Sequence, residues 1–215
     1  ASVRYLYYPK TAKRIAQHAP DAKLIAVLRE PVARLYSHYC MNVQFQSEPL
    51  PLLKAIENED SRVAEGWGWD WHYTRLGLYA EQIERYLRYF NNDQLLVILY
   101  DDFVKHPLET YQKICRHLNI SDAFIPDMSQ RGKVPTQPRN LMLDRWLNWH
   151  DSSRNKLEKW LPPWRAKKVI EKLKALNNKP VPKLSPHVHE AISVRFHEDV
   201  KKLETLLERD IPWYK

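Results

Sequence analysis

Arg29 is the first residue with a chemical task written into its position. It follows directly on an apolar run, Lys23-Leu-Ile-Ala-Val-Leu28, and Pro31 suits the first position of a helix two residues later. That order predicts a guanidinium fork at the carboxyl end of a buried strand, beside a helix N-terminus. Both features attract phosphate, and ligands of open α/β sheets sit beyond the carboxyl ends of strands. Ser37 falls in the second turn of the same helix, and side chains tilt toward a helix start, so its hydroxyl is aimed back at an anion held by Arg29. Arg34 lies near the same end. The same residue types also fit a strand-end arginine paired with Glu30 or Asp101, and a serine on a solvated helix face.

The elements that must position these residues follow from periodicity. A helix is predicted over 11–19, with Ala12, Ile15, Ala16 and Ala19 on one face and Pro20 as its stop. The run at 23–28 reads as a strand buried on both faces. After Pro31, an inner stripe of Val32, Leu35, Tyr36, Tyr39 and Cys40 marks the next helix. Further helices are predicted from Pro51, over 78–90, and from Pro107 through Leu118. Gln94-Leu-Leu-Val-Ile-Leu-Tyr100 is a second buried strand ended by Asp101-Asp102. Residues 119–140 read as a polar, proline-punctuated loop. Helices follow over 141–149, 164–176 and 185–208, the last capped by Ser185. Strands joined by helices of this length imply parallel β-α-β units with right-handed crossovers. The fold class is therefore α/β, a parallel sheet flanked by helices with a helical C-terminal third.

Composition narrows the chemistry. The 215 residues carry 34 Lys+Arg against 26 Asp+Glu, a net +8, and 44% are hydrophobic, so a single folded domain over 1–215 is expected. Only four glycines occur (Gly66, Gly68, Gly77, Gly132), and neither the G-x-G-x-x-G nor the G-x-x-x-x-G-K-[ST] phosphate loop can be written with them. Cys40 and Cys115 make neither a disulfide framework nor a C-x-x-C metal or redox motif, which points to a reducing, cytoplasmic setting. No apolar run approaches the roughly 18 residues of a membrane-spanning helix. His187 and His189 fall on different helix faces, which argues against a zinc pair. His72 reads as a hydrogen-bonded structural histidine. Trp67, Trp69 and Trp71 read as loop packing more readily than as a sugar platform. Residues 151–183 hold ten Lys/Arg and three Asp/Glu, a balance of +7. That segment fits a solvated helix face or a polyanion-docking face.

The segment Lys23-Leu-Ile-Ala-Val-Leu-Arg-Glu-Pro-Val-Ala-Arg-Leu-Tyr-Ser-His-Tyr39 resembles the 3′-phosphate-binding segment of sulfotransferases that use 3′-phosphoadenosine 5′-phosphosulfate (PAPS). Similar matches follow in the family's order. They are Ala1-Ser2 with Tyr5-Leu6 and Pro9, Gly77-Leu-Tyr-Ala-Glu-Gln82 with Tyr86, Leu96-Val-Ile-Leu-Tyr-Asp-Asp-Phe103, and Leu184-Ser-Pro186 with the helix ending Leu-Leu-Glu-Arg-Asp210. They are most similar to bacterial and glycan-type members. The resemblance implies a P-loop-like sulfotransferase fold and sulfuryl transfer from PAPS to a hydroxyl or amine of an acceptor, a carbohydrate among the candidates, without a metal. It assigns Arg29 and Ser37 to the 3′-phosphate and Tyr100 to adenine contact. Arg131-Gly132-Lys133 matches a basic loop closing over that phosphate, and a solvated turn fits those three residues equally well. The family's strand, phosphosulfate loop and catalytic acid/base precede the segment that Ala1 matches, so the expectation is a domain lacking its N-terminal strand-loop-helix, with no catalytic residue to name. The alternatives are a basic nucleic-acid or polyanion-binding module docking through 151–183, which lacks a recognised nucleic-acid motif, and an inactive relative with a scaffold role.

Overall fold

The computed structural model describes residues 3–128, 136–148 and 162–214. Helices α1 (Val3–Tyr7) and α2 (Thr11–His18) lead into strand β1 (Leu24–Leu28), which pairs in parallel with β2 (Leu95–Leu99), Leu24 opposite Leu95 and Leu28 opposite Leu99. The connection between them carries α3 (Pro31–Gln44), α4 (Leu52–Glu57), α5 (Glu59–Ala64) and α6 (Tyr79–Leu87). Helices α7 (Tyr100–Lys105) and α8 (Pro107–His117) follow β2. A short antiparallel pair, β3 (Thr136–Pro138) with β4 (Asn178–Pro180), brackets α9 (Leu141–Asn148) and α10 (Pro163–Asn177). Helices α11 (Pro186–Ser193) and α12 (His197–Leu207) close the described chain.

The core forms where α3, α6 and α12 meet around the sheet. Leu28, Val32, Leu35, Ile83, Phe196 and Leu203 are all but sealed from solvent there. Gly77 sits at the tightest approach, where a Cβ would stand 2.9 Å from the Phe196 ring. A second anchor is polar. Glu48 and Arg62 form a buried bidentate ion pair (2.6 and 2.9 Å), the Tyr73 hydroxyl donates to Glu48 (2.8 Å), and the Asn42 amide donates to that hydroxyl (2.9 Å). This network ties α3 and α5 to the aromatic turn through Tyr73.

Three expectations need correction. β2 is buried as predicted, but β1 is covered on one face only: Ile25 and Val27 are 37% and 55% exposed, and among the described residues no helix overlies them. The single helix expected over 185–208 is two. Ser193 Oγ donates back to the Glu190 carbonyl, and Arg195 and Phe196 amides reach only three residues back, which tightens and ends the first helix. The polar segment at 119–140 ends in β3, whose partner β4 lies forty residues on and left no local periodicity to read.

Candidate functional site

Arg29 leaves β1 at its carboxyl end and Pro31 starts α3, as its fixed φ favours. The carboxylate of Glu30 caps that helix, accepting from the amides of Val32 (2.9 Å) and Ala33 (2.6 Å). It also accepts from the Tyr214 hydroxyl and lies 3.5 Å from His189 Nε2. The helix N-terminus is therefore filled by the protein's own anion, which corrects the expectation that it stands open to a phosphate. An acidic residue directly before a proline at the first helical position was the signal for this cap.

That cap removes the first of the two carboxylates proposed as partners of Arg29. The second, Asp101, accepts from the Trp213 indole at 3.3 Å. Among the described residues Arg29 has no ion pair, and its guanidinium stands 5.4 Å from the centre of the Tyr100 ring, within cation-π range. Its backbone carbonyl accepts from the buried Tyr79 hydroxyl at 3.0 Å. Burial pushes the Tyr79 phenol up to about 12, so it remains a donor at any physiological pH.

Arg29 and Ser37 line one cavity of about 1380 Å³, which runs from the carboxyl end of β1 down its uncovered face past Ile25 and Val27. Its far wall is the segment 180–184, held against α3 by the Tyr36 hydroxyl donating to the Pro182 carbonyl (2.8 Å). Tyr100, on the first turn of α7, joins the group through its contact with Arg29 rather than as a wall of the cavity. Arg131, Gly132 and Lys133 lie outside the described residues.

Arg34 lines the same cavity but turns inward. Its guanidinium donates to the Tyr73 carbonyl and stands 3.5 Å from His38 Nδ1. Burial lowers its pKa from the ordinary arginine value. His38 lies buried between Trp69, stacked at 6.1 Å, and the edge of Tyr73. Burial first, and then the Arg34 charge, pull its pKa down from 6.5 to about 4. His38 was not singled out by the sequence, since nothing in its spacing announces burial against a tryptophan thirty residues on. His72 accepts from the Tyr7 hydroxyl (2.6 Å) and its other ring nitrogen faces the Trp67 carbonyl (3.1 Å), the structural histidine expected. Trp67 and Trp71 pack edge to face at 5.1 Å, and only Trp69 reaches the cavity. No group of three or more metal-binding side chains occurs among the described residues, and no described helix is long and apolar enough to cross a membrane.

Comparison with known proteins meets this geometry. The structure superposes with a TM-score of 0.70 on a sulfotransferase from Alicyclobacillus acidocaldarius, at 28% identity, covering 98% of this chain and 64% of that one. Heparan sulfate glucosamine 3-O-sulfotransferase 6 of mouse and of human are each 31% identical over 103 residues, which is 48% of this chain and 29% of theirs. Heparan sulfate glucosamine 3-O-sulfotransferase 3B1 of mouse is 27% identical over 116 residues. The chain thus spans less than a third of the length of these curated relatives. The family model described as the sulfotransferase family matches residues 6–124, covering β1, α3, β2 and both Arg29 and Ser37. With more than half of its length inside that match, the chain belongs to the sulfotransferase family.

Proposed function

We propose that this chain is the 3′-phosphate-binding part of a PAPS-dependent sulfotransferase that sulfates a hydroxyl or amine of a carbohydrate acceptor. The observation that carries the reading is the state of Arg29: it stands at the carboxyl end of a parallel strand, shares a cavity wall with Ser37, and has no carboxylate partner among the described residues. A guanidinium so placed is matched to a phosphate dianion, and the Ser37 hydroxyl adds a neutral donor. Tyr100 offers a ring face next to the same charge, suited to the base of the nucleotide. The cavity has ample room for a nucleotide, and because Glu30 fills the α3 terminus, the phosphate would rest on side chains rather than on the Val32 and Ala33 amides.

When bound, PAPS supplies an activated sulfuryl group. The part of this chain is to hold the nucleotide end fixed, so that the transferring sulfur meets the acceptor without a further entropic cost. Arg131, Gly132 and Lys133 remain candidates for a loop closing over the same phosphate. Among the described residues β1 pairs only with β2 and its Ile25 and Val27 face is uncovered, which supports the further proposal that the domain carries another strand-loop-helix there, the strand beside β1, the helix over that face, and with them the phosphosulfate loop and the catalytic acid/base. Parallel strands are ordinarily covered on both faces.

Calorimetry with adenosine 3′,5′-bisphosphate tests the reading. Arg29→Ala is expected to weaken binding by about 2–4 kcal/mol, the loss of a charge-assisted contact. Adenosine 5′-monophosphate, which lacks the 3′-phosphate, is expected to bind the wild type and the variant alike. Unchanged affinity of Arg29→Ala for the bisphosphate overturns the assignment.

A further inference from the structure

Residues 162–183 carry seven Lys/Arg and one Asp/Glu, a balance of +6 within a chain whose net charge is +8. The helix α10 sorts them by face. Ala166, Ile170, Leu173 and Asn177 recur at helical spacing and turn inward, toward α9. The Asn177 amide fixes that contact, donating to the Asn140 carbonyl (3.0 Å) and accepting from the Asn140 amide (2.9 Å). Arg165, Lys168 and Lys172 recur at the same spacing on an outward stripe, with the exposed Lys167 beyond Glu171 to one side of it and Lys174 half-buried further round. No ion pair among the described residues engages any of these five, so the charge is presented rather than neutralised. Trp164 opens the stripe, 59% exposed, with the Arg165 guanidinium 4.9 Å from its ring centre.

The stripe also leads somewhere. α10 runs directly into β4, and β4 into the segment 180–184 that walls the cavity and is tied to α3 beside Ser37 through Tyr36. Fifteen residues of helix span about 22 Å. A small neutral alcohol entering the cavity has no use for a cationic surface of that length. A long chain with repeating negative charge does.

We infer that α10 is the docking surface for an acidic polysaccharide, which lies along the Arg165–Lys168–Lys172 stripe with Trp164 as a platform for one sugar face while another unit enters the cavity. This rests on the reading of the cavity as a sulfuryl-transfer site, and it assigns the acceptor to the carboxylated or sulfated polysaccharides. Continuity with the cavity favours a glycan over a nucleic acid, which would need no such connection.

The test titrates the 215-residue chain, saturated with adenosine 3′,5′-bisphosphate, with a heparan sulfate oligosaccharide at two salt concentrations. The triple variant Arg165→Ser/Lys168→Ser/Lys172→Ser is compared with a control that removes the same charge elsewhere, Lys10→Ser/Lys13→Ser/Arg14→Ser. The stripe variant is expected to bind the oligosaccharide at least about tenfold more weakly at low salt, with a salt slope shallower by about two to three. The control is expected to stay within about threefold, and nucleotide affinity within about twofold in both. Equal losses in the two variants overturn the inference, as does no loss in the stripe variant or no oligosaccharide binding by the wild type. Tighter binding of a DNA duplex of matched charge than of the oligosaccharide overturns it in favour of nucleic acid. Failure of the wild type to bind the nucleotide, with the glycan result intact, would overturn the Arg29 reading and with it the assignment of the polysaccharide as acceptor, and would leave the docking surface on α10 standing.

Discussion

At the scale of single residues, His38 shows how burial dictates protonation. The ring is packed between Trp69 and Tyr73 with a guanidinium on one side, so its charged form is doubly disfavoured and its pKa falls from 6.5 to about 4. The consequence for stability has a definite sign. Below pH 6.5 the unfolded chain binds a proton that the folded chain refuses until about pH 4, so folding weakens as pH falls through that window. Above 6.5 neither state is protonated and the effect vanishes. His38→Phe keeps an aromatic ring against Trp69 but removes the titration. It is expected to lessen the stability lost between pH 7 and pH 4.5 by about 2–3 kcal/mol. Urea unfolding of both proteins at the two pH values reads this directly, and parallel pH profiles would show that His38 does not carry the acid sensitivity.

At the scale of elements, what was legible and what was not divides along a physical line. Local signals served well. Pro31 and Pro107 each begin a helix, the apolar runs around Ala26 and Val97 are the two strands, and Ser185 caps α11, accepting from the Val188 amide. Arg29 and Ser37 come to one cavity for the same local reason, since β1 ends at Leu28 only three residues before Pro31 starts α3. Contacts between distant segments were not. The pairing of Thr136–Pro138 with Asn178–Pro180 has no period, and the capture of Glu30 by Tyr214 joins residues 184 apart. The Glu48–Arg62–Tyr73–Asn42 network is of this second kind, and it fixes where the aromatic turn meets α3. Burial raises the Glu48 pKa, but the bonds from Arg62, the Leu50 amide and Tyr73 outweigh it and hold the carboxyl below its usual range. Arg62→Ala would strand that carboxylate, at an expected cost of about 3–5 kcal/mol. The double variant Arg62→Met/Glu48→Leu removes both charges and is expected to recover most of the loss. Thermal denaturation of the three proteins decides the matter. A double variant no more stable than Arg62→Ala would mean that the pair supplies net stability rather than mutual neutralisation.

At the scale of the whole molecule, the sheet is asymmetric in a way that ordinary parallel sheets are not. β2 is sealed, whereas β1 presents Ile25 and Val27 to the cavity and shelters Leu28 in the core. Neighbouring positions on one strand should therefore answer oppositely to substitution. Val27→Lys can extend its side chain into the cavity and keep the ammonium in water, so in the 215-residue chain it is expected to cost less than about 0.5 kcal/mol. Leu28→Ala leaves a void among Val32, Ile83 and the rest of the core, and is expected to cost about 2–5 kcal/mol. The comparison bears on the proposed additional strand. In a longer chain that adds a strand beside β1 and packs its following helix over this face, Val27 would be enclosed, and the same lysine would bury a charge without a partner. Its cost would then rise well above that of the shorter chain. Urea denaturation of Val27→Lys in both lengths of chain measures this difference directly, and an equal, small cost in both would mean that no further element covers this face.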